Sequence, residues 1–357
     1  MRVFVAAYPA ILAVPFYLSS LARGTSQDDV GTLLESGVRL TRAERYAEAA
    51  EVFRRCVAID AQSFEARYDL ALALFALRRL PESREAIRPV QPTNDTERAA
   101  KLYVLGKIDE AAGDKAHARG EFSSAFSTAP TEENYALDYG LFLVREGDYQ
   151  SAIATLARAA TAHQQSPYLL LGLAMAQAFG GKRADAILTC RRIVTDDTVC
   201  SPALLLMAFS YYMSGEYQEA ERAAASGLQM KVPPPYLYYL HAAALLKTGS
   251  TSYSRMLAEL DEAQTNIANC TLCYFVRSKV HEAAGDIPSA IVDLTTIVTR
   301  VQPGFDQGWY RLAMLYRKQG RDRDAQTARA RFEAIRANHT DPEVDLARGT
   351  MLSEMQR

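Results

Sequence analysis

The chain has 357 residues, with 40 lysines and arginines against 42 aspartates and glutamates, and a formal net charge of −2. This balance excludes the basic excess by which nonspecific nucleic-acid binders hold phosphate, so we expect no nucleic-acid partner. A chain of this length would ordinarily fold into two or three globular domains, unless its sequence is repetitive.

The N-terminal stretch, residues 1–22, is predicted to be a signal peptide. One early charge, Arg2, precedes an apolar run from Val3 to Leu18 and a small-x-small pattern that ends at Ala22. The 16 residues of this run would span about 24 Å as a helix, less than the roughly 30 Å core of a bilayer. We therefore expect an exported chain (periplasmic, extracellular or in the secretory pathway) without a stable membrane span. The alternatives are a membrane anchor formed by an uncleaved N-terminus and a hydrophobic N-terminal helix that caps the fold.

Residues 23–29 are polar and are predicted to be a linker, and a repeat begins after them. Glycines recur at steps of 34, 34, 34, 34, 36 and 35 residues. This series is Gly113, Gly147, Gly181, Gly215, Gly249, Gly285 and Gly320. A glycine between two apolar-periodic segments is typical of a helix end, because it takes a positive φ without a Cβ clash. Small residues about seven positions before and five after each glycine would let two antiparallel helices approach closely. Each period therefore predicts a helix–turn–helix hairpin.

The clearest copy of the repeat runs from Arg145 to Ala159, with Gly147 and Ala152 in register. In these features the chain resembles the tetratricopeptide repeat family, whose unit is a helical hairpin of 34 residues with small residues at these positions. The resemblance implies an all-α fold, a right-handed α-solenoid of about nine helix-turn-helix units over residues 30–338. The units are predicted to begin at Val30, Phe64, Ala99, Glu133, Pro167, Ser201, Pro235, Thr271 and Asp306.

Three places depart from the repeat. Glu44 and Arg78 stand at the turn position in the first two units, where glycine is expected. The seventh unit carries about two extra residues between Gly249 and Glu262. Residues 339–357 are predicted to form a C-terminal capping helix or a disordered tail.

The first helices of the fifth to seventh units are nearly free of charge. A helix that is apolar all round is either buried on all sides or presents a face to a partner. The resemblance implies that first helices line a concave face, and we expect an exposed apolar stripe there to bind a partner. The predicted partner-binding groove consists of Tyr68, Tyr103, Leu137, Leu171, Met175, Leu205, Phe209, Tyr212, Tyr236 and Tyr239. The alternative is that these side chains only pack adjacent repeats. Lys107 and Lys279 interrupt the stripe and are predicted to be solvated charges.

The five cysteines divide into two groups. Cys56 and Cys190 occupy apolar positions of second helices and are expected to be buried thiols. Cys270 and Cys273 form a CxxC motif at a helix start, which fits a redox pair, half a zinc site or simple packing. In an exported chain this motif could form a local disulfide, and Cys190 could also approach Cys200 across a turn.

The motifs do not indicate catalysis. His281 and Glu282 begin like the HExxH zinc motif, but Gly285 stands where the second histidine is required. No acid, base, nucleophile and metal ligands occur at a spacing that suggests an active site, so we expect no enzyme activity, no cofactor and no metal. The hypothesis is a non-catalytic interaction scaffold that binds an extended or helical apolar segment of a protein or peptide, in complex assembly or as a holdase. The alternative is an adaptor subunit of an envelope or secretory-pathway enzyme complex.

Overall fold

The protein is described here by a computed structural model that covers residues 25–163, 166–194 and 200–336. These residues form eighteen α-helices and no strand, which confirms the all-α prediction. The helices are α1 (Thr25–Arg42), α2 (Tyr46–Ile59), α3 (Phe64–Ala76), α4 (Leu80–Ile87), α5 (Asp95–Ala112), α6 (Lys115–Thr128), α7 (Glu133–Arg145), α8 (Tyr149–Ala162), α9 (Pro167–Phe179), α10 (Arg183–Ile193), α11 (Cys200–Met213), α12 (Tyr217–Gly227), α13 (Pro235–Lys247), α14 (Tyr253–Asn266), α15 (Thr271–Ala283), α16 (Ile287–Thr296), α17 (Asp306–Lys318) and α18 (Asp322–Arg336). The predicted signal peptide and the C-terminal segment 339–357 lie outside the described residues.

Consecutive helices pair into nine hairpins within the described residues, from hairpin 1 (α1 and α2) to hairpin 9 (α17 and α18). Six first helices begin at the residue predicted for their unit, and α11 begins one residue early. Helix α1 begins at Thr25, so residues 25–29 of the predicted linker are helical.

Helix α5 also begins earlier than predicted, at Asp95, because a capping box extends it. The Asn94 side chain accepts a hydrogen bond from the Glu97 N–H at 2.9 Å. The Glu97 carboxylate in turn accepts the Thr93 N–H at 2.7 Å. The first bond satisfies a backbone donor that the first turn of a helix leaves unpaired, and the second holds the residue before the N-cap.

The nine hairpin turns share one backbone conformation. The seven glycines of the ladder have φ between 72° and 85°. Glu44 and Arg78, which depart from the ladder, have φ of 59° and 60° and so occupy the same left-handed region. The closing bond is also the same, since the Arg79 N–H donates to the Leu74 carbonyl at 2.9 Å, as in the turn at Gly147. The first two hairpins thus keep the turn without its glycine.

Small residues on the first helices do permit close helix approach. A Cβ on Gly140 would lie 2.4 Å from the Cγ of Leu156 on α8. Similarly, a Cβ on Gly37 would lie 2.4 Å from the ring of Phe53 on α2. In hairpin 2 the corresponding contact is polar, because the buried Ser83 hydroxyl donates to the Ala71 carbonyl at 2.7 Å. The packing role predicted for these positions is confirmed.

Two hairpins contain extra residues relative to the 34-residue period. In hairpin 7, α14 begins four residues after Gly249, whereas α8 begins two residues after Gly147, so the two extra residues lie in the turn as predicted. In hairpin 8, α16 continues directly into a π-helical turn, Ile297–Val301. A π turn accommodates one residue more than an α turn, which accounts for the 35-residue step before Gly320.

The described residues divide into two compact units, one ending at Gly172 and the other beginning at Leu173. Within the first, α1 contacts α3 and α3 contacts α5. Within the second, α11 contacts α13 and α13 contacts α15. In each unit, therefore, first helices of neighbouring hairpins lie side by side. None of the described helices combines the length and apolar character that crossing a bilayer requires.

Candidate functional site

The predicted groove residues are mostly part of the core. Nine of the ten have exposed fractions of 9% or less, and Tyr212 is half-buried. Nine of the predicted residues are therefore buried in the chain alone, and their part in partner binding stays a prediction: Tyr68, Tyr103, Leu137, Leu171, Met175, Leu205, Phe209, Tyr236 and Tyr239. The physical reason is that first helices pack against their own second helix and against the first helices beside them, so apolar side chains on several faces are covered.

The second unit illustrates this packing. Phe209 packs on the ring of Phe179, with ring centroids 5.4 Å apart. Tyr236 and Tyr239 pack on each other at 4.9 Å. Half-buried Tyr212 makes an edge contact with Tyr217 at 5.5 Å. The apolar first helices of this unit thus bury their large side chains within the chain itself.

The first helices α3, α5 and α7 of the first unit carry a polar cluster that the sequence analysis did not predict. The Tyr103 hydroxyl donates to Oδ2 of Asp138 at 2.5 Å, and Nζ of Lys107 donates to the same oxygen at 2.9 Å. Lys107 has an exposed side-chain fraction of 17%, so the prediction that it is a solvated charge is wrong. Burial acts to raise the pKa of Asp138, but Lys107 and the Tyr103 hydroxyl outweigh it and hold this pKa below its usual value.

Tyr68 and Asp69 lie on α3 in the same unit. Tyr68 is 7% exposed, and its hydroxyl is buried without a hydrogen-bond partner among the described residues. Burial, together with nearby Tyr135, Asp69 and Glu132, raises the pKa of Tyr68 well above its ordinary value. Asp69 is half-buried, and burial followed by the charge of Glu65 raises its pKa to about 7.

Aromatic rings surround these polar groups. Phe64 stacks on Tyr68 with centroids 5.8 Å apart, and Tyr103 stacks on Tyr135 at 4.6 Å. Burial and the charge of Glu132 raise the pKa of Tyr135 to about 12. The tyrosine–acid cluster, as we name it, consists of Tyr68, Asp69, Tyr103, Lys107, Tyr135 and Asp138. It combines buried hydroxyls, carboxylates and ring faces on neighbouring first helices, which suits recognition of a polar or cationic group better than an apolar one.

A sequence signal for the cluster exists. Asp69 stands two residues before the small residue Ala71, and Asp138 stands two residues before Gly140, so the two acids occupy one repeat position. This position is acidic in both units, so it does not belong to the predicted apolar stripe. The second lysine of that stripe, Lys279, lies over the ring of Phe275 at 4.0 Å, so it is also not a simple solvated charge.

The cysteines follow the predictions in part. Cys270 and Cys273 form a disulfide, and both are fully buried. Cys56, Cys190 and Cys200 are buried thiols, so the second bridge considered, between Cys190 and Cys200, is wrong. Burial raises the pKa of Cys190 to about 12, as expected for an inert thiol inside a core.

The described residues contain no cluster of metal-ligating side chains. In the part of the chain that the structure describes, no group of three His, Cys, Asp or Glu side chains is arranged to hold a metal ion. Glu282, of the incomplete zinc motif, pairs with Arg311 on the neighbouring first helix α17. His281 lies 3.6 Å from the Asp286 carboxylate. Glu282 and Arg311 thus form an ion pair between two hairpins, and His281 lies beside an aspartate of its own hairpin.

Family models confirm the repeat over part of the chain. Residues 40–108, 103–167 and 137–198 match models described as tetratricopeptide repeat. The chain therefore contains tetratricopeptide repeats, a fold typical of non-catalytic scaffolds that bind protein partners. No curated protein matches the sequence.

Solved structures resemble a larger part of the chain. A tetratricopeptide repeat protein from Parabacteroides merdae is 14% identical, with a TM-score of 0.53, and the match covers 72% of this chain and 99% of that one. The apo form of the quorum sensor NprR from B. thuringiensis is 11% identical, with a TM-score of 0.60 and coverage of 87% and 99%. The human IFIT1 dimer with m7Gppp-AAAA is 11% identical, with a TM-score of 0.53 and coverage of 89% and 79%. At such identities these similarities show the fold alone.

Proposed function

We propose that the protein is a non-catalytic interaction scaffold that binds an extended segment of a partner protein on the tyrosine–acid cluster. The observation that carries this proposal is the buried Tyr68 hydroxyl, which has no hydrogen-bond partner among the described residues and lies near the carboxylate of Asp69. A buried polar group left unsatisfied costs about 1–3 kcal/mol, so native proteins rarely keep one without a use for it. A bound segment would supply the missing partners.

The predicted apolar segment fits this surface less well than a polar one. Nine of the ten predicted groove residues are buried, whereas the polar residues Asp69, Lys107 and Asp138 on the same helices are only partly buried, so a partner would meet charged groups there. Of the seven large apolar side chains exposed in the described residues, Tyr310 and Met314 lie one turn apart on α17, and the others lie on separate elements: Ile59, Tyr168, Leu188, Val232 and Val292. Single exposed residues do not form the broad patch that a holdase needs. Of the two roles considered, an adaptor that binds one partner is therefore favoured over a holdase.

Export of the chain is part of the proposal. The N-terminal 22 residues have the charge and hydropathy pattern of a signal peptide. The disulfide between Cys270 and Cys273 supports the same compartment, because disulfides persist in oxidising environments and are rare in reducing ones. We accordingly place the binding partner among exported or envelope proteins.

Site-specific photocrosslinking in the native host tests the scaffold proposal. A photoreactive amino acid replaces Glu65, an exposed residue on α3 beside Asp69, and in a matched strain it replaces Glu51, an exposed residue on the second helix α2. We expect one discrete adduct from position 65 and none from position 51. Adducts of equal yield from both positions, or none from position 65, would contradict the proposal.

A further inference from the structure

Two aspartates at one repeat position have opposite surroundings. Asp138 on α7 accepts hydrogen bonds from the Tyr103 hydroxyl and the Lys107 ammonium of α5. Tyr103 stands 35 residues before Asp138 in the chain, and Lys107 stands 31 residues before it. Asp69 on α3 has its equivalent neighbours on α1, and the residues 35 and 31 positions earlier are Leu34 and Val38. Neither side chain donates a hydrogen bond or carries a charge. The first acid is satisfied inside the chain, while the second lacks both of its counterparts.

The surroundings of Asp69 indicate what would satisfy it. The Tyr68 hydroxyl, on a side chain that is 93% buried (7% exposed), has no partner among the described residues and lies near Asp69 and Glu132. Glu65 adds a further negative charge one turn away, and no basic side chain of the described residues forms a salt bridge with Asp69. Phe64, stacked on Tyr68, provides an aromatic face at the same place. An acidic, aromatic and partly desolvated position of this kind favours an organic cation.

We infer that Asp69 and the Tyr68 hydroxyl bind the lysine or arginine side chain of the partner segment. The partner thereby supplies the cation that Lys107 supplies to Asp138. A divalent metal ion fits less well, because no group of three His, Cys, Asp or Glu side chains in the described residues is arranged to hold one. This inference rests on the proposed function and specifies the chemistry of the segment.

The decisive variant is Val38→Lys, which places a lysine where Lys107 stands relative to Asp138. The full chain is purified as wild type, Val38→Lys, Asp69→Asn and the control Val38→Leu, and folding of each is checked by circular dichroism. Each protein is incubated with an array of 15-residue peptides of random sequence and graded charge. The affinity of the best-bound peptide is then measured by calorimetry, alongside a copy with its basic residues replaced by alanine.

We expect the wild type to select peptides rich in lysine or arginine. Val38→Lys, Asp69→Asn and the alanine peptide should each weaken binding by about tenfold or more, as for loss of a close charge pair, whereas Val38→Leu should bind as the wild type. The losses should not add when Asp69→Asn is combined with the alanine peptide. Selection without basic residues, or unchanged binding by both Val38→Lys and Asp69→Asn, would overturn the inference. A partner that crosslinks at position 65 equally in Val38→Lys would overturn it while leaving the scaffold proposal intact.

Discussion

The charge of Asp69 should make the stability of the chain depend on pH. Its pKa is about 7 in the folded state, and the groups that face it are Glu65 and Tyr68 of α3 and the Cys56 thiol of α2. The unfolded pKa is about 3.9, so the folded state holds the proton more tightly. The cost of ionised Asp69 therefore develops between about pH 4 and pH 7 and is constant above that range. Asp69→Asn should raise the Tm at pH 8, by ~2–4 °C per kcal/mol removed, and leave it unchanged at pH 4.

Thermal unfolding of both proteins at the two pH values measures this effect, and Asp138→Asn is its control. The pKa of Asp138 is lowered, despite its burial, by Lys107 and Tyr103. Its charge therefore stabilises the folded state above about pH 4, and Asp138→Asn should lower the Tm at pH 8. The same substitution at two equivalent repeat positions would thus change the Tm at pH 8 in opposite directions. A Tm for Asp69→Asn that equals the wild-type value at pH 8 would disagree with this account.

Replacement of the turn residue Arg78 by glycine should increase the stability of the folded chain. It is exposed at φ 60°, in a region that costs a residue with a Cβ about 1–2 kcal/mol, whereas glycine loses about 0.5–1 kcal/mol in unfolded-state entropy. We expect Arg78→Gly to stabilise the chain by about 0.5–1 kcal/mol in urea unfolding. Gly147→Ala, the reverse change at φ 78°, should destabilise it. If Arg78→Gly lowers stability, the left-handed conformation is not strained as argued.

At single residues, the sequence predicts the position of each turn but not the backbone angle or the ion-pair partner of a residue. The glycine ladder predicted the turns, yet it marked Glu44 and Arg78 as departures, because the identity of a residue does not reveal its φ. Lys107 was predicted to be a lone solvated charge because its partner, Asp138, is 31 residues away and meets it only when hairpins stack. Spacing within one helix contains no information on which charges face each other across two hairpins.

At the scale of the hairpin, close approach of the two helices should make one glycine irreplaceable and leave another free to change. A methyl group on Gly140 of α7 would enter the fully buried side chain of Leu156 on α8. Overpacking of this kind costs about 1–3 kcal/mol. Gly120, inside α6, has nothing within 4 Å of its Cβ position. Gly140→Ala should therefore destabilise the chain, and Gly120→Ala should stabilise it by about 0.5–1 kcal/mol.

Urea unfolding of these two variants measures the contrast in one experiment. Both substitutions replace a helical glycine of the first unit, so differences in helix propensity cancel between them. Equal effects would mean that Leu156 moves aside without cost. A loss in Gly140→Ala alone would locate the constraint in the contact between helices.

Helix positions were predictable because the period is long and regular, so six first helices begin at the residue expected. The surface of those helices was not predictable by the same means. An apolar first helix such as α13 fits both burial and an exposed binding face, and only its neighbours decide between them. Helices α11 and α15 lie against α13 and cover it. Apolar periodicity does not predict the polar cluster, because the residues of the cluster are distributed over α3, α5 and α7.

For the whole molecule, the disulfide predicts a thiol count that depends on reduction. Cys270 and Cys273 are bridged, and Cys56, Cys190 and Cys200 are thiols. In chain produced by secretion, alkylation in denaturant should modify three cysteines without reductant and five with it, as read by mass spectrometry. In the native state the three thiols should react slowly with the alkylating reagent, because all three are buried. Five modifications without reductant would contradict the bridge and weaken the argument for export.

The π turn at Ile297–Val301 has a consequence for how such a chain changes over time. The extra residue of hairpin 8 is absorbed before α17 begins, and hairpin 9 still turns at Gly320 with a left-handed φ. A one-codon insertion at the end of a second helix therefore need not shift the frame of the hairpins that follow it. In evolution the chain can gain a residue at such a junction while the contacts of the following hairpins are preserved. The same junctions are sites where a residue could be inserted for labelling.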